Sequence, residues 1–502
     1  MSKRSADTEG LETLPSKKPR LPKRKVALQI GYCGTGYHGM QLNNPHKTIE
    51  GDLFQALVKA GAISEDNADD PKKSSFLRAA RTDKGVHAAG NVVSLKMIVE
   101  DPEIVNIINS HLPEQIRVWG FTRTNRAFEC RKMCSSRVYE YVLPTYCLMN
   151  PGPLTKLGEV MRQKTNRLAE GELATECKNF WDEILKELES QGVTYDVLKS
   201  LKESHDRDLK EAKNAEKETK ENGTETETKE NETKETTETE TKETTETTET
   251  KTTETKPESN QPEDESSLPS EIKIMKQVEN ASRRSYRANP ARIEALSNCL
   301  QRYVGVHNFH NFTVGKPYKD PSAMRVMHSL KVSEPFVINN TEWVSVKIHG
   351  QSFMLHQIRK MIALAVLAVR TNTDPAKIDH LFTSDRVSIP KAPALGLLLE
   401  RPMYDAYNNR LGKLGHESIS FDKYDKDIDA FKNKFIYDKI YAKEKEENEF
   451  QAFFGYMDTY RLNGLLDFLL DIKPEESGAG ADTKAEPEPE IESGSEEYLG
   501  DE

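Results

Sequence analysis

RAARTDKGVHAAG, residues 78–90, seats one carboxylate, Asp83, between Arg81 and Lys84, with glycines at 85 and 90. A surface salt bridge is the ordinary reading of an acid among bases. The sharper reading is a carboxylate held ionised in a loop, because a nearby cation favours the charged form of an acid. The flanks show that the loop sits inside a folded block. Downstream, Val93, Leu95, Met97 and Val99 recur with period two and predict a strand. Upstream, VALQIGY (26–32) sets Val26, Leu28 and Ile30 against Ala27, Gln29 and Gly31, the pattern of a half-buried strand. Between them Thr48 caps a helix with Glu50 and Asp52 in its first turn, an Ile49/Leu53/Leu57 stripe and Gly61 as its stop. A helix over 103–112 and strands over 116–122 and 137–143 complete the block.

A second block repeats the rhythm. Asn289-Pro290 opens a helix with the stripe Ile293, Leu296, Leu300 and Tyr303. Strands near 325–332 and 342–349 follow, then a helix from 353 to about 371 that is apolar nearly all round and so reads as buried. Asp374-Pro375 starts another helix. Period-two strands around crossing helices, met twice, predict an α+β protein of two similar α/β halves with a cleft between them. Residues 411–470 are charged and aromatic, with helical character toward the end.

Charge and composition divide the 502-residue chain in the same way. Residues 201–270 form a Glu/Thr/Lys tract (KETTETETKETTETTETKTTETK) and residues 471–502 a Gly/Pro/Glu tail. Neither stretch has the apolar side chains to offset its ordering entropy, so both are expected to be disordered. The tract carries −11 and the tail −10; removing both from the whole-chain −11 leaves +10. Residues 1–25 supply +5 of that, so the folded body is mildly basic at +5 and suits a polyanionic partner. The low pI of 5.7 describes the appendages.

The segment KKPRLPKRK, residues 17–25, reads as a nuclear import signal in a disordered basic arm, against the plainer reading of a solvated tail. Met1–Gly10 is polar and mixed in charge, unlike a secretory leader. The longest apolar run, Met361–Val369, is about half of the ~18 residues a membrane span requires. Six scattered cysteines (33, 130, 134, 147, 177, 299) suit reduced thiols. Cys130 and Cys134 would offer two ligands to a structural zinc, but no second pair has finger-like spacing.

GTGYHG, residues 34–39, matches G-x-G-x-x-G after a strand. A dinucleotide site needs a helix to begin within the glycines and meet the pyrophosphate. Here MQLNNP follows, and Asn44-Pro45 breaks a helix. The glycines instead suit a sharp turn or a close backbone approach.

RTDKGVHAAG together with GYCGTGYHGMQ resembles the signature of the TruA family of tRNA pseudouridine synthases, in wording nearest its eukaryotic members. INSHLPEQIRV (108–118), RVYEY (137–141), VGVHNFHNF (304–312), GQSFMLHQIRKMI (350–362) and KAPALGLLLERPMY (391–404) resemble its further motifs, in order. The resemblance covers about 26–148 and 285–410. It implies the pseudouridine-synthase fold, with a mainly antiparallel sheet flanked by helices and a central RNA-binding cleft. Residues 26–155 would form the half carrying the nucleophile and 286–410 the second catalytic half. Residues 156–285 are an insert without family counterpart, and 411–470 an extension and candidate RNA contact.

The resemblance makes Asp83 the nucleophile and leaves open whether it attacks the sugar or the pyrimidine ring. It gives Arg359 as the charge partner of Asp83, Tyr139 as the ring stacked on uracil, and Arg81 as a residue holding the extruded base. Uridine and pseudouridine are isomers, so no cofactor is implied. The implied substrates are several positions of tRNA, the anticodon stem and loop included, and intron-containing precursors, with small nuclear RNA and mRNA as further candidates. The partners would be those RNAs and the import machinery, with no membrane, in the nucleus. A second reading is a tRNA-binding or RNA-chaperone protein of the same fold. Asp83, Tyr139 and Arg359 standing together weigh against it, since a pure binder need not retain all three.

Overall fold

A computed structural model describes residues 21–168, 171–201, 204, 269–413, 417–460 and 463–473. The tract and the tail, apart from their end residues, and residues 1–20 of the basic arm lie outside the described residues. Strands β1 (Lys23–Tyr32), β2 (Leu77–Arg78), β3 (His87–Ile98), β4 (Ile116–Arg123) and β5 (Ser136–Pro144) come from the first half. The second half supplies β6 (Gly305–Asn308), β7 (Met324–Val332), β8 (Phe336–Ile338), β9 (Thr341–Gly350) and β10 (Leu397–Met403). They join in one sheet in the order β4-β1-β3-β10-β5-β9-β7-β6, with β2 beside β3 and β8 beside β9. Every pairing is antiparallel except β10 with β3, where Leu398 lies opposite His87. The α+β arrangement read from the two repeats is therefore a single, mainly antiparallel sheet, into which the second half inserts a strand between two of the first.

Local rules place the helices. Helix α1 (Ile49–Lys59) starts where the Thr48 hydroxyl accepts the Gly51 amide at 3.2 Å, and it buries Ile49, Leu53 and Leu57. The later helices named here are α2 (Ile104–Ser110), α3 (Lys156–Lys164), α4 (Glu172–Ser190) and α5 (Ser270–Ser285), then α6 (Pro290–Gln301). Helix α6 has Pro290 at its first position and Asn289 capping the Ala291 amide at 2.8 Å. Helix α7 (Gln357–Arg370) is buried at every residue. It begins at Gln357 and not at 353, because residues 353–356 form a turn that ends with His356 at φ 59°, ψ 2°.

Two expectations change. The basic segment 17–25 is not wholly an arm, since Lys23, Arg24 and Lys25 pair with Ile98, Met97 and Lys96 as the first rungs of β1. Strand β1 is also buried on both faces from Val26 onward, not half-buried. The cause is the C-terminal extension, which lies on the second face. Ser420 accepts a hydrogen bond from Gln29 Nε2 at 2.5 Å, and the Tyr424 hydroxyl fills the space where a Cβ on Gly120 would stand.

Beyond Ser420 come α8 (Asp425–Phe431), a π-helical turn over Lys432–Tyr437, α9 (Asp438–Glu447), α10 (Glu449–Asp458) and α11 (Asn463–Leu470). Their Ile428, Phe431, Ile436, Ile440, Phe450 and Phe453 join the main core. Lys432, held in the π-turn, reaches Glu140 at 3.1 Å and Glu400 at 2.8 Å. Burial works against the Glu140 charge, yet Lys432 and Lys347 hold its carboxyl down at about 2. Glu140 alternates with Tyr139 along β5, so the extension braces the face of the sheet opposite Tyr139. Lys432 of the segment expected to offer RNA-facing surface thus reaches the back of the sheet, while its Phe450 meets the ring of Tyr141 on the other face, 6.2 Å between centroids.

The insert is stitched on by Arg292, which is wholly buried. Its Nε donates to Glu176 of α4 at 2.6 Å and its Nη1 to the Leu148 carbonyl at 2.8 Å. Helices α4 and α5 share a small core of Ile184, Leu188, Met275 and Val278.

Candidate active site

The Asp83 loop lies between β2 and β3 and is shaped from behind. Thr82 is buried and its Oγ1 lies 2.8 Å from the hydroxyl of buried Tyr32. Asn91 Nδ2 donates to the Ala80 carbonyl at 3.1 Å. The turn closes when the Val86 amide donates to the Asp83 carbonyl at 3.1 Å, with Gly85 at φ 77°. The GTGYHG loop forms the floor: the Met40 amide donates to the Thr82 carbonyl at 3.0 Å and the Gly85 amide to the Tyr37 carbonyl at 3.3 Å. A Cβ on Gly39 would stand 2.6 Å from the Thr82 carbonyl oxygen. These glycines do serve a close backbone approach, and what they approach is the Asp83 loop itself. His87 is fully buried, and burial brings its imidazole down to about 4, so it is neutral and its Nδ1 accepts the Gly34 amide at 3.1 Å.

The Asp83 side chain keeps 33% of its surface exposed, while Tyr139 and His356 beside it are buried. Tyr139 is 9% exposed, and its ring meets Phe353 edge-on at 5.1 Å between centroids. Burial pushes its phenol up to about 12, Arg137 opposes the shift and the Asp83 charge adds to it, so Tyr139 is a neutral phenol near that carboxylate. His356 closes another side, with Nδ1 4.0 Å from Asp83 Oδ2. Arg359 is the third residue of α7; its Nε donates to the Ala392 carbonyl at 2.6 Å, and its charge acts on the phenol of Tyr141. Tyr141 is the core tyrosine of the pair, with its hydroxyl on the Pro393 carbonyl at 2.7 Å. Arg81 is exposed on the outer side of the loop, where its charge reaches Glu50, itself paired with Arg78 at 2.9 Å.

The structure thus brings together Asp83 and Tyr139, with Phe353 and His356 as neighbours that reading the sequence did not single out. Both lie inside GQSFMLHQIRKMI, and the available signal was a histidine at the mouth of an otherwise apolar helix. Cys130 and Cys134, the weak zinc candidates, direct their thiols at the carbonyls of Leu77 and Ser136, both at 3.1 Å. Burial raises both thiols above their usual range, away from the thiolate a metal needs.

A partly exposed carboxylate between a neutral aromatic ring and a buried arginine-bearing helix can attack an electrophile and hold a flat base beside it. Comparison with known proteins narrows this. Residues 299–405 match the family model described as tRNA pseudouridine synthase. A protein named tRNA pseudouridine synthase 1 from Yarrowia lipolytica is 54% identical over 454 residues, covering 90% of this chain and 77% of that one. The chain belongs to the tRNA pseudouridine synthase family. Another relative of the same name, from Saccharomyces cerevisiae, is 47% identical over 88% of this chain and 73% of its own length. The tRNA pseudouridine(27/28) synthase of Saccharomyces cerevisiae is 35% identical over 77% of this chain and 85% of its own. As a member of this family the protein is an isomerase of the TruA type.

Proposed function

We propose that this protein converts uridine to pseudouridine in tRNA with Asp83 as nucleophile. The observation that carries the reading is the contrast at the site: the Asp83 carboxylate is open to a ligand while Tyr139 and His356 beside it are buried. In the reaction the C1′–N1 bond breaks and a C1′–C5 bond forms. The proton on C5 leaves and N1 gains one, so atoms balance and no cofactor is called for. Tyr139, a neutral phenol, stacks on the uracil. Arg359 supplies the positive charge that favours the ionised carboxylate, and Arg81 supports the base once it is extruded, at a cost of roughly a few kcal/mol.

RNA binding is supported by the loop after η-turn residues 310–312. Thr313 donates to the Leu355 carbonyl at 3.0 Å, beside His356, and from there the loop runs outward. It exposes Val314 and Tyr318, and with Leu355 of the turn before α7 they stand near Lys316, which pairs with Asp320, and near Lys319 and Arg386, a mix of apolar, aromatic and cationic groups that suits unstacked bases and phosphate. We extend the proposed substrates to several tRNA positions, the anticodon stem and loop included, to intron-containing precursors, and to small nuclear RNA and mRNA. The test is tritium release from transcripts labelled at C5 of uridine. Release from unmodified tRNA and its intron-containing precursor is expected, with slower release from the other two classes. No release from tRNA at any salt concentration would sink the proposal.

We also propose a nuclear location, supported by the basic segment from Lys17. Because Lys23–Lys25 belong to β1, the informative truncation ends at residue 20. A fluorescent fusion lacking residues 1–20 is expected to leave the nucleus while staying folded. Unchanged nuclear signal would count against the segment.

A further inference from the structure

The approach to α7 holds a feature that helix formation does not explain. His356 sits at φ 59°, ψ 2°, in the left-handed region where a Cβ crowds the backbone and glycine or asparagine is the easier choice. Its side chain makes no cap hydrogen bond to the helix. The side chain nonetheless is only 3% exposed, and its Nδ1 stands 4.0 Å from Asp83 Oδ2. The neighbouring residue does the local structural task, since Gln357 Oε1 accepts the Met354 amide at 2.9 Å. A costly backbone conformation that carries a polar ring to a reactive group points to function more than to packing.

We propose that His356 is a positioning residue: its ring N–H holds Oδ2 of Asp83, leaving Oδ1 aimed at the target uridine. The inference rests on Asp83 being the nucleophile. A carboxylate with one-third of its surface open can rotate about its last torsion, and only one orientation presents a lone pair to the reacting carbon. The Thr82 and Val86 contacts anchor the Asp83 loop through its backbone. A donor beside Oδ2 bears on the orientation of the carboxylate itself. At 4.0 Å the pair is beyond direct hydrogen-bond distance, and under this proposal the ring closes on Oδ2 in the reacting complex. Misplacement of a reacting group by about 1 Å costs on the order of 10²-fold in rate, which sets the scale of the effect.

The decisive variant is His356→Gly, because glycine suits the left-handed backbone and removes the ring without strain. On the full chain, kcat for tritium release from tRNA should fall about 10- to 100-fold, while the tRNA dissociation constant stays within about twofold because phosphate contacts elsewhere dominate it. Free imidazole added to His356→Gly should raise the rate at least about threefold, and His356→Asn, which keeps an N–H donor and tolerates this backbone, should recover most of it. A merely structural histidine would show no such rescue. His356→Gly turning over within about threefold of the parent, or failure of both imidazole and asparagine to recover the rate, overturns the proposal. Turnover by Asp83→Asn at the parent rate would remove the reading beneath it, and that outcome is separable because it appears with His356 intact.

Discussion

Asp83→Asn should fold, bind tRNA about as tightly as the parent, and form no pseudouridine, a loss of at least about 10⁴-fold in turnover. Asparagine matches the shape of aspartate and keeps hydrogen-bonding capacity, so the anchors that hold the loop by its backbone are untouched. What disappears is the negative charge and with it the nucleophile. Binding survives because it rests on phosphate contacts spread over a basic surface, and those weaken with salt, so both proteins must be compared at one salt concentration. Arg359→Ala should lose most turnover as well, by removing the charge partner that we assign to the carboxylate. Tritium release from C5-labelled uridine in unmodified tRNA reads both. Comparable release by Asp83→Asn and the parent would refute the assignment.

The largest effect on stability is expected away from the site, at the far end of α7. Arg370 is 6% exposed and gives Nη2 to both carboxylate oxygens of Asp458, at 2.5 and 2.6 Å. Its Nη1 serves the carbonyls of Cys147 and Met149, at 3.2 and 2.8 Å. One buried pair therefore ties α7, the exit of β5 and α10 of the extension. Asp458→Ala leaves a guanidinium in the core without its anion, a loss of about 3–5 kcal/mol. Since Arg370 also defines the end of the helix that carries His356 and Arg359, activity should fall at temperatures where the parent is stable. The double variant Asp458→Leu/Arg370→Met should recover most of the melting temperature, because well-packed apolar replacements of a buried pair are close to neutral. A single Asp458→Ala variant melting within a degree of the parent would show that the pair carries little.

Much of this architecture was legible because local signals and burial agreed. Thr48 and Asn289 cap the helices they were expected to open, and the period-two runs lie in the sheet. The misreading of β1 has a definite cause. Alternation reports one covered face, and nothing in VALQIGY announces that residues some 390 positions later cover the other. Gln29 looked like a solvent-facing residue and is instead satisfied by the Ser420 carbonyl. The opening motif singled out Asp83 by chemistry and resemblance and the β5 motif singled out Tyr139, and in the fold the two stand near enough for the Asp83 charge to act on the Tyr139 phenol. His356 and Phe353 were not legible in the sequence, because one reaches Asp83 through a turn conformation and the other meets Tyr139 across the sheet.

The place of β10 in the sheet has a consequence in time. Its Leu398 pairs with His87, immediately after the loop that carries Asp83, and its Leu399 pairs with Tyr139 on the other side. A ribosome making about 5–20 residues per second needs on the order of 15–60 s to travel from one partner to the other. Throughout that interval the nascent chain holds two unpaired strand edges where its centre will be. The first half alone lacks the strand that lies between β3 and β5, so Asp83 and Tyr139 come to flank one continuous sheet only when β10, among the last parts of the second half to be synthesised, has been made.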